Sequence, residues 1–79
     1  MIDWKEYIES NPEILFGKPV FKGTRIPVDL ILEKLSYGES WEDLLLAYNR
    51  LNKLAIQAAL AYATDSVRND IIYSNPKEV

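Results

Sequence analysis

The chain has 79 residues, of which 48% are hydrophobic and 27% are charged, and its nine cations and twelve acids give a net charge of −3. This length allows one domain, residues 1–79, and the composition excludes a disordered chain. The acidic balance argues against a protein that coats nucleic acid. The absence of cysteine and histidine excludes disulfides and disfavours a zinc site, so a partner chain is the expected additional source of stability.

The N-terminal third predicts one short helix followed by a ribbon. Asp3 with Glu6 three residues later resembles a capping box, which predicts a helix over residues 4–9 that Pro12 terminates. Between residues 14 and 26, short apolar runs are separated by glycine and proline. This pattern predicts a β-hairpin or an extended ribbon that lies on the helices or pairs with another subunit.

The remainder predicts three helices with short joints. Pro27 suits the first position of a helix that Gly38 ends, Ser40 caps a second helix, and Asn52 caps a third. The first two helices carry apolar stripes at helical spacing. The third is predicted to bury Ile56, Ala59, Leu60, Ala63 and Val67 and to leave Ala58, Ala61 and Tyr62 on its outer face. Residues 69–79 either cover the domain or dock a partner. The fold class is therefore mainly α, a small three-helix bundle with a short N-terminal helix and a ribbon.

The last two helices have the order of a helix-turn-helix, in which the start of the second helix reads base edges. Four polar side chains at this position are of the types that contact bases or phosphates: Arg50, Asn52, Lys53 and Gln57. Helices that serve only packing explain the same pattern, and this alternative stays open.

Charge is segregated along the chain. Residues 14–28 and 44–64 contain no acid, and the first window holds Lys18, Lys22 and Arg25. These three cations are candidates for contact with a partner or with phosphate, unless the segregation is a chance fluctuation in a short chain. Phe16 and Phe21 flank them and are weaker candidates for stacking on a partner.

Catalysis is disfavoured by the side chains that are present. Without histidine or cysteine a general base would have to be a carboxylate, and no two acids share an apolar setting. The glycines of "GKPVFKG" do not match a phosphate-binding loop. We expect no enzyme activity, no cofactor and no metal. The segment "MIDWKEYIES" lacks the features of a signal peptide, so a cytoplasmic protein is expected.

Residues 11–65, which contain "GKPVFKGTRIPV" and "ALAYA", resemble the bacterial family of domain of unknown function 433 (DUF433). The matching signature positions are Gly17, Lys18, Pro19, Gly23, Thr24, Arg25, Pro27, Gly38, Ser40 and the run 59–63. The chain departs from the pattern at "YNRLNKLAI", where relatives commonly carry Tyr-Pro and a threonine cap. The resemblance implies a homeodomain-like fold and a VapB-like antitoxin that pairs with a PIN-like ribonuclease toxin.

The leading functional hypothesis is therefore an antitoxin, expected as a homodimer, that binds a cognate toxin and in addition operator DNA. Two alternatives are a stand-alone DNA-binding regulator and a non-enzymatic oligomerisation module.

Overall fold

The computed structural model describes the backbone of residues 1–72 and the side chains of residues 1–69. Strands β1 (Ile8–Glu9) and β2 (Val20–Phe21) form an antiparallel pair, and three helices follow: α1 (Val28–Ser36), α2 (Trp41–Ala47) and α3 (Lys53–Ile72). Two 3₁₀ helices, Trp4–Glu6 and Leu15–Gly17, precede β1 and β2 respectively. The predicted combination of three helices and a small ribbon is confirmed at this level.

The helix boundaries follow local capping signals. Ser40 accepts a hydrogen bond from the Asp43 N–H at 3.1 Å, and the Asn52 side chain accepts one from the Ala55 N–H at 2.9 Å. Gly38, at φ +88°, follows the end of α1 in the left-handed conformation that glycine tolerates. Pro27 is the N-cap of α1 rather than its first residue, because its ψ of 142° is extended.

The N-terminal region differs from the prediction. The expected helix over residues 4–9 is a single 3₁₀ turn, and its last two predicted residues form β1 instead. Ile8 pairs with Phe21 and Glu9 with Val20, so the ribbon partner of β2 is β1. The run 14–16 is a tight turn rather than a strand. Local patterns did not predict this pairing because its two strands lie eleven or more residues apart.

The core lies where α3 packs on the 3₁₀ helix Trp4–Glu6, α1 and α2. Its largest fully buried side chains come from the ribbon and all three helices: Val20, Val28, Ile31, Leu44 and Ile56. A long-range contact fixes the N-terminus, since the Trp4 indole N–H donates to Asp65 Oδ2 at 2.7 Å. The Trp4 ring also meets Tyr62 edge to face, with ring centroids 4.8 Å apart.

The buried face of α3 is rotated from the predicted one. Ala58 and Ala61, expected outside, are buried, whereas Leu60 and Val67, expected in the core, are 40% and 53% exposed. The small alanine side chains face the core because they let the neighbouring elements approach the helix closely. The helix also runs on to Ile72, past the predicted start of the tail. The predicted role of residues 69–79, covering the domain or docking a partner, stays a prediction, because the side chains of residues 70–79 lie outside the described part of the chain.

No helix within the described residues is both long enough and apolar enough to cross a membrane.

Candidate functional site

The turn at Gly23 is held in one conformation by several hydrogen bonds. The Phe21 N–H donates to the Ile26 carbonyl at 3.1 Å, which closes the turn. The Thr24 hydroxyl donates to the Phe21 carbonyl at 2.7 Å and accepts from the Ile26 N–H at 3.0 Å. Gly23 has φ +76°, which a side chain at this position would disfavour. The exposed side chains of Lys22 and Arg25 therefore project from a stiff support.

Arg50 joins these two cations from the joint between α2 and α3. Its guanidinium Nη2 donates to the Gly23 carbonyl at 2.9 Å, across 27 positions of sequence. We call Lys22, Gly23, Thr24, Arg25 and Arg50 the Gly23 surface. The structure thus brings together one cation predicted for DNA and two predicted for a partner.

Two hollows flank the Gly23 surface, and Arg50 lines both. The larger, of about 470 Å³, also contains Arg25 and Ile14, and the smaller, of about 190 Å³, also contains Lys22. Each hollow includes one carboxylate, Glu9 in the larger and Glu6 in the smaller. The sequence predicted a cationic surface without acidic residues, because the windows 14–28 and 44–64 contain none. In the structure this prediction is wrong, because the 3₁₀ helix and β1 place Glu6 and Glu9 beside the cations.

Among the described side chains no salt bridge involves Lys22, Arg25 or Arg50. Their charges are available to an anionic group that enters either hollow. A guanidinium can hold a carboxylate or phosphate with two parallel hydrogen bonds, so two arginines beside one hollow favour such a group.

Lys18 does not belong to this cluster. Its ammonium lies 2.9 Å from Asp29 Oδ2, and both side chains are about half exposed or more. The prediction of Lys18 as an unopposed cation is therefore wrong. Exposed ion pairs contribute only about 0–1 kcal/mol, so this one neither fixes the fold nor offers a strong site.

Of the four residues predicted to read DNA, Arg50 and Asn52 line the smaller hollow, and Gln57 lines a different one. Asn52 uses its side-chain oxygen to cap α3, and Arg50 contacts the ribbon turn. Lys53 is exposed at the first position of α3, while Gln57 lines a hollow with Met1 and Trp41. Of the two aromatic candidates, Phe21 is buried in the core, which overturns its predicted stacking role.

Phe16, a weaker candidate in the sequence, stands out in the structure for its exposure and its backbone conformation. It is fully exposed, and its backbone has φ +58° between Leu15 at +49° and Gly17 at +86°. Left-handed backbone costs a non-glycine residue roughly 1–2 kcal/mol. Two such residues around an exposed aromatic ring make this turn a candidate contact surface. Ile14, which precedes this turn, lines the larger hollow, so the turn borders the Gly23 surface.

The remaining signature residues have structural roles. The Pro19 carbonyl accepts from the Val28 N–H at 3.0 Å, and Val20 bridges to Pro27, so the two prolines frame the Gly23 turn. Gly17 and Gly38 both have positive φ, and Ser40 is the cap described above. Within the described part of the chain, no three acidic side chains are grouped to hold a metal ion.

Comparison with known proteins gives a family match over the region that contains these signature positions. The family model described as "Protein of unknown function (DUF433)" matches residues 8–63. The chain belongs to the DUF433 family. It is also 39% identical over 59 residues to "Uncharacterized protein y4eO" of Sinorhizobium fredii (strain NBRC 101917 / NGR234), a match that covers 75% of this chain.

The aligned region is only 27% of that relative's length, so the chain corresponds to about a quarter of the relative. No solved structure matches the chain. The family match therefore spans β1, the Gly23 surface and about the first half of α3. The roles of these parts are inferred from their geometry.

Proposed function

We propose that this DUF433 protein is an antitoxin-type binding protein that occupies an acidic surface of a cognate toxin with its Gly23 surface. The observation that carries the proposal is the convergence of Lys22, Arg25 and Arg50 on one stiff turn. A pre-organised surface loses little conformational entropy on binding, so its contacts contribute more fully to affinity. The family resemblance supports a PIN-like ribonuclease as the toxin.

Phe16 adds an apolar anchor beside this charge. Aromatic and arginine side chains dominate binding energy at many protein interfaces when a partner pocket desolvates them. The ring is fully exposed, and Ile14, two residues before it, lines the larger hollow. This arrangement fits a partner with an apolar pocket rimmed by carboxylates.

A protein partner suits this surface better than DNA does. Glu6 and Glu9 lie beside the cations and would repel a phosphate backbone, whereas a protein surface can place donors opposite them. Three cations cluster here, and the Asn52 side chain, one of the predicted readers, is used to cap α3. In this proposal the chain neutralises the toxin by covering its surface. It therefore requires no cofactor and catalyses no reaction.

The second candidate is DNA binding through a homeodomain-like helix-turn-helix formed by α2, residues 48–52 and α3. Lys53 and Gln57 favour it, because both are exposed and they lie one helical turn apart at the start of α3. On this proposal the antitoxin represses its own operon in the cytoplasm, where a toxin and an operator are both accessible.

The test begins with isolation of the tagged chain from its native host and mass determination of the protein that accompanies it. We expect a ribonuclease whose activity falls when the purified chain is added. The double variant Lys22→Ala/Arg25→Ala should weaken this inhibition about ten-fold or more. A matched control, Lys5→Ala/Lys34→Ala, removes the same charge elsewhere and should have little effect.

Salt and DNA distinguish the candidates. Binding to a duplex of the upstream region should fall steeply with salt if phosphates are contacted, while inhibition of the toxin should change less. Equal inhibition by the Lys22→Ala/Arg25→Ala variant and the wild type would contradict the proposed toxin-binding surface. Duplex binding without any protein partner would favour the stand-alone regulator.

A further inference from the structure

An exposed series runs along α3 at a spacing typical of helix pairing. Gln57, Leu60, Thr64 and Val67 follow one another at intervals of three, four and three residues, which keeps them on one face. Leu60 and Val67 are the large apolar members, and both are substantially exposed. We call these four residues the α3 seam.

The surface of the seam contains a shallow, open hollow. Among the described residues, this hollow of about 430 Å³ is lined by α3 alone, with the small Ala63 and Thr64 between the larger Leu60 and Val67. The knobs and the hole needed for interdigitation are therefore present on the same helix. Such a surface can pack against a copy of itself.

The polar group in the middle of the seam is already satisfied. The Thr64 hydroxyl donates to the Leu60 carbonyl at 2.8 Å. Covering Thr64 would therefore not leave a buried donor without a partner, which would otherwise cost free energy. The threonine methyl group can be buried beside Leu60.

Apolar surface continues past the seam toward α2. A second hollow, of about 300 Å³, contains Leu60 and Thr64 as well as Met1 and Trp41. The two hollows share the same ridge of α3. Between residues 57 and 68 the only carboxylate is Asp65, and its side chain accepts the Trp4 hydrogen bond.

We propose that the α3 seam binds the seam of a second copy of this chain in an antiparallel crossing centred between Ala63 and Thr64. The two-fold axis then places Leu60 against the partner's Val67 and Val67 against the partner's Leu60. The small residues at the centre let the two helices approach closely. The dimer is independent of the proposed toxin binding, since the Gly23 surface contributes no residue to it.

Charge selects the antiparallel orientation. Arg68 lies at one end of the seam, and a parallel pair would set the two guanidinium groups side by side. In the antiparallel pair the two Arg68 positions are separated by nine residues along the axis, or about 13 Å. Like charges at that distance are largely screened at physiological salt.

The first test measures association of the full chain by sedimentation equilibrium from about 5 to 500 µM, a range that reaches high concentrations because a contact along about three turns of one helix is small. Leu60→Glu and Val67→Glu should each weaken the dimer at least about ten-fold, because each buries a charge in the apolar contact. The matched control is Leu46→Glu, which changes an 81% exposed leucine of α2 that lines neither hollow.

Circular dichroism tests whether each variant is folded. Two seam variants are used so that the test still stands if one of them does not fold. A monomer throughout the concentration range, or equal weakening by Leu46→Glu, would overturn the proposal.

The second test determines orientation by disulfide trapping, for which the chain is suited because it contains no cysteine. A mixture of Leu60→Cys and Val67→Cys proteins should form the mixed disulfide under mild oxidation. Each protein alone should crosslink poorly, since identical positions lie about 10 Å apart along the axis. Efficient crosslinking of Leu60→Cys to itself would instead indicate a parallel pair and overturn the antiparallel assignment.

Discussion

Phe16 combines backbone strain with an absence of compensating contacts. Its ring is fully exposed, so packing within the chain does not repay the left-handed conformation of residues 15 and 16. The surrounding hydrogen bonds hold the turn, with the Gly17 N–H donating to the Ile14 carbonyl at 3.1 Å and the Lys18 N–H to the Leu15 carbonyl at 3.1 Å. Selection for folding alone would favour glycine or asparagine at this position.

Replacement of Phe16 by glycine should therefore stabilise the chain by up to about 1 kcal/mol, because the strain is relieved and no contact is lost. Phe16→Val should do the opposite, since a branched side chain tolerates positive φ poorly. Urea unfolding monitored by circular dichroism measures both changes. If the proposed anchor role is right, Phe16→Gly also weakens inhibition of the toxin. Destabilisation of the Phe16→Gly protein by more than the entropic cost of glycine, about 1 kcal/mol, would show that the ring supports the fold.

The hydrogen bond between Trp4 and Asp65 is expected to stabilise the N-terminus on α3. Asp65→Ala leaves a partly buried indole N–H without its acceptor and should cost about 1–2 kcal/mol. Trp4→Phe removes the donor, and the double variant should show a coupling of about 1 kcal/mol. Glu13→Ala, which removes an exposed acid in a loop, serves as the control and should stay within about 0.5 kcal/mol. Additive effects of the two substitutions would contradict the contact.

At the scale of elements, one hydroxyl makes two of the hydrogen bonds that hold the ribbon turn. Thr24 both donates to and accepts from the backbone of the Gly23 turn, so Thr24→Val removes two hydrogen bonds while it keeps the shape of the side chain. We expect a loss of about 1–3 kcal/mol in thermal or urea unfolding. Thr24→Ser retains the hydroxyl and should lose much less. A Val variant as stable as the Ser variant would mean that the glycine and prolines alone fix the turn.

Local signals predicted the elements that depend on them. The caps at Ser40 and Asn52 and the terminator Gly38 each act within a few residues, so the sequence locates the ends of α1 and α2 and the start of α3 well. The pairing of β1 with β2 is nonlocal, and neither strand has more than two residues. No periodicity can be recognised over so short a run.

The orientation of α3 could not be predicted because apolar residues occur on all its sides. Two sets of residues repeat at helical spacing, and the sequence pattern does not show which set faces the core: Ile56, Leu60, Ala63 and Val67, and Ala55, Ala58 and Tyr62. In the same way, the candidate site was predicted as a set of cations but not as a cluster. Tertiary packing brings Arg50 into contact with Gly23 and places Glu6 and Glu9 beside the Gly23 surface.

At the scale of the whole molecule, the chain separates two surfaces. The Gly23 surface combines the ribbon turn with the joint before α3, whereas the seam lies farther along α3, toward Arg68. A dimer through the seam would present two copies of the Gly23 surface. Two tethered sites raise the apparent affinity for a partner that offers two matching surfaces.

Self-association should also contribute to stability, because a domain of this size has a small core and no disulfide. If only folded chains form the dimer, dimerisation stabilises the folded state by mass action. The urea midpoint of the wild-type chain should therefore rise with protein concentration, by the equivalent of about 1 kcal/mol at ten times the dissociation constant. Leu60→Glu should abolish this dependence, and Leu46→Glu should preserve it. A midpoint that is independent of concentration in the wild type would show that the monomer carries all of its own stability.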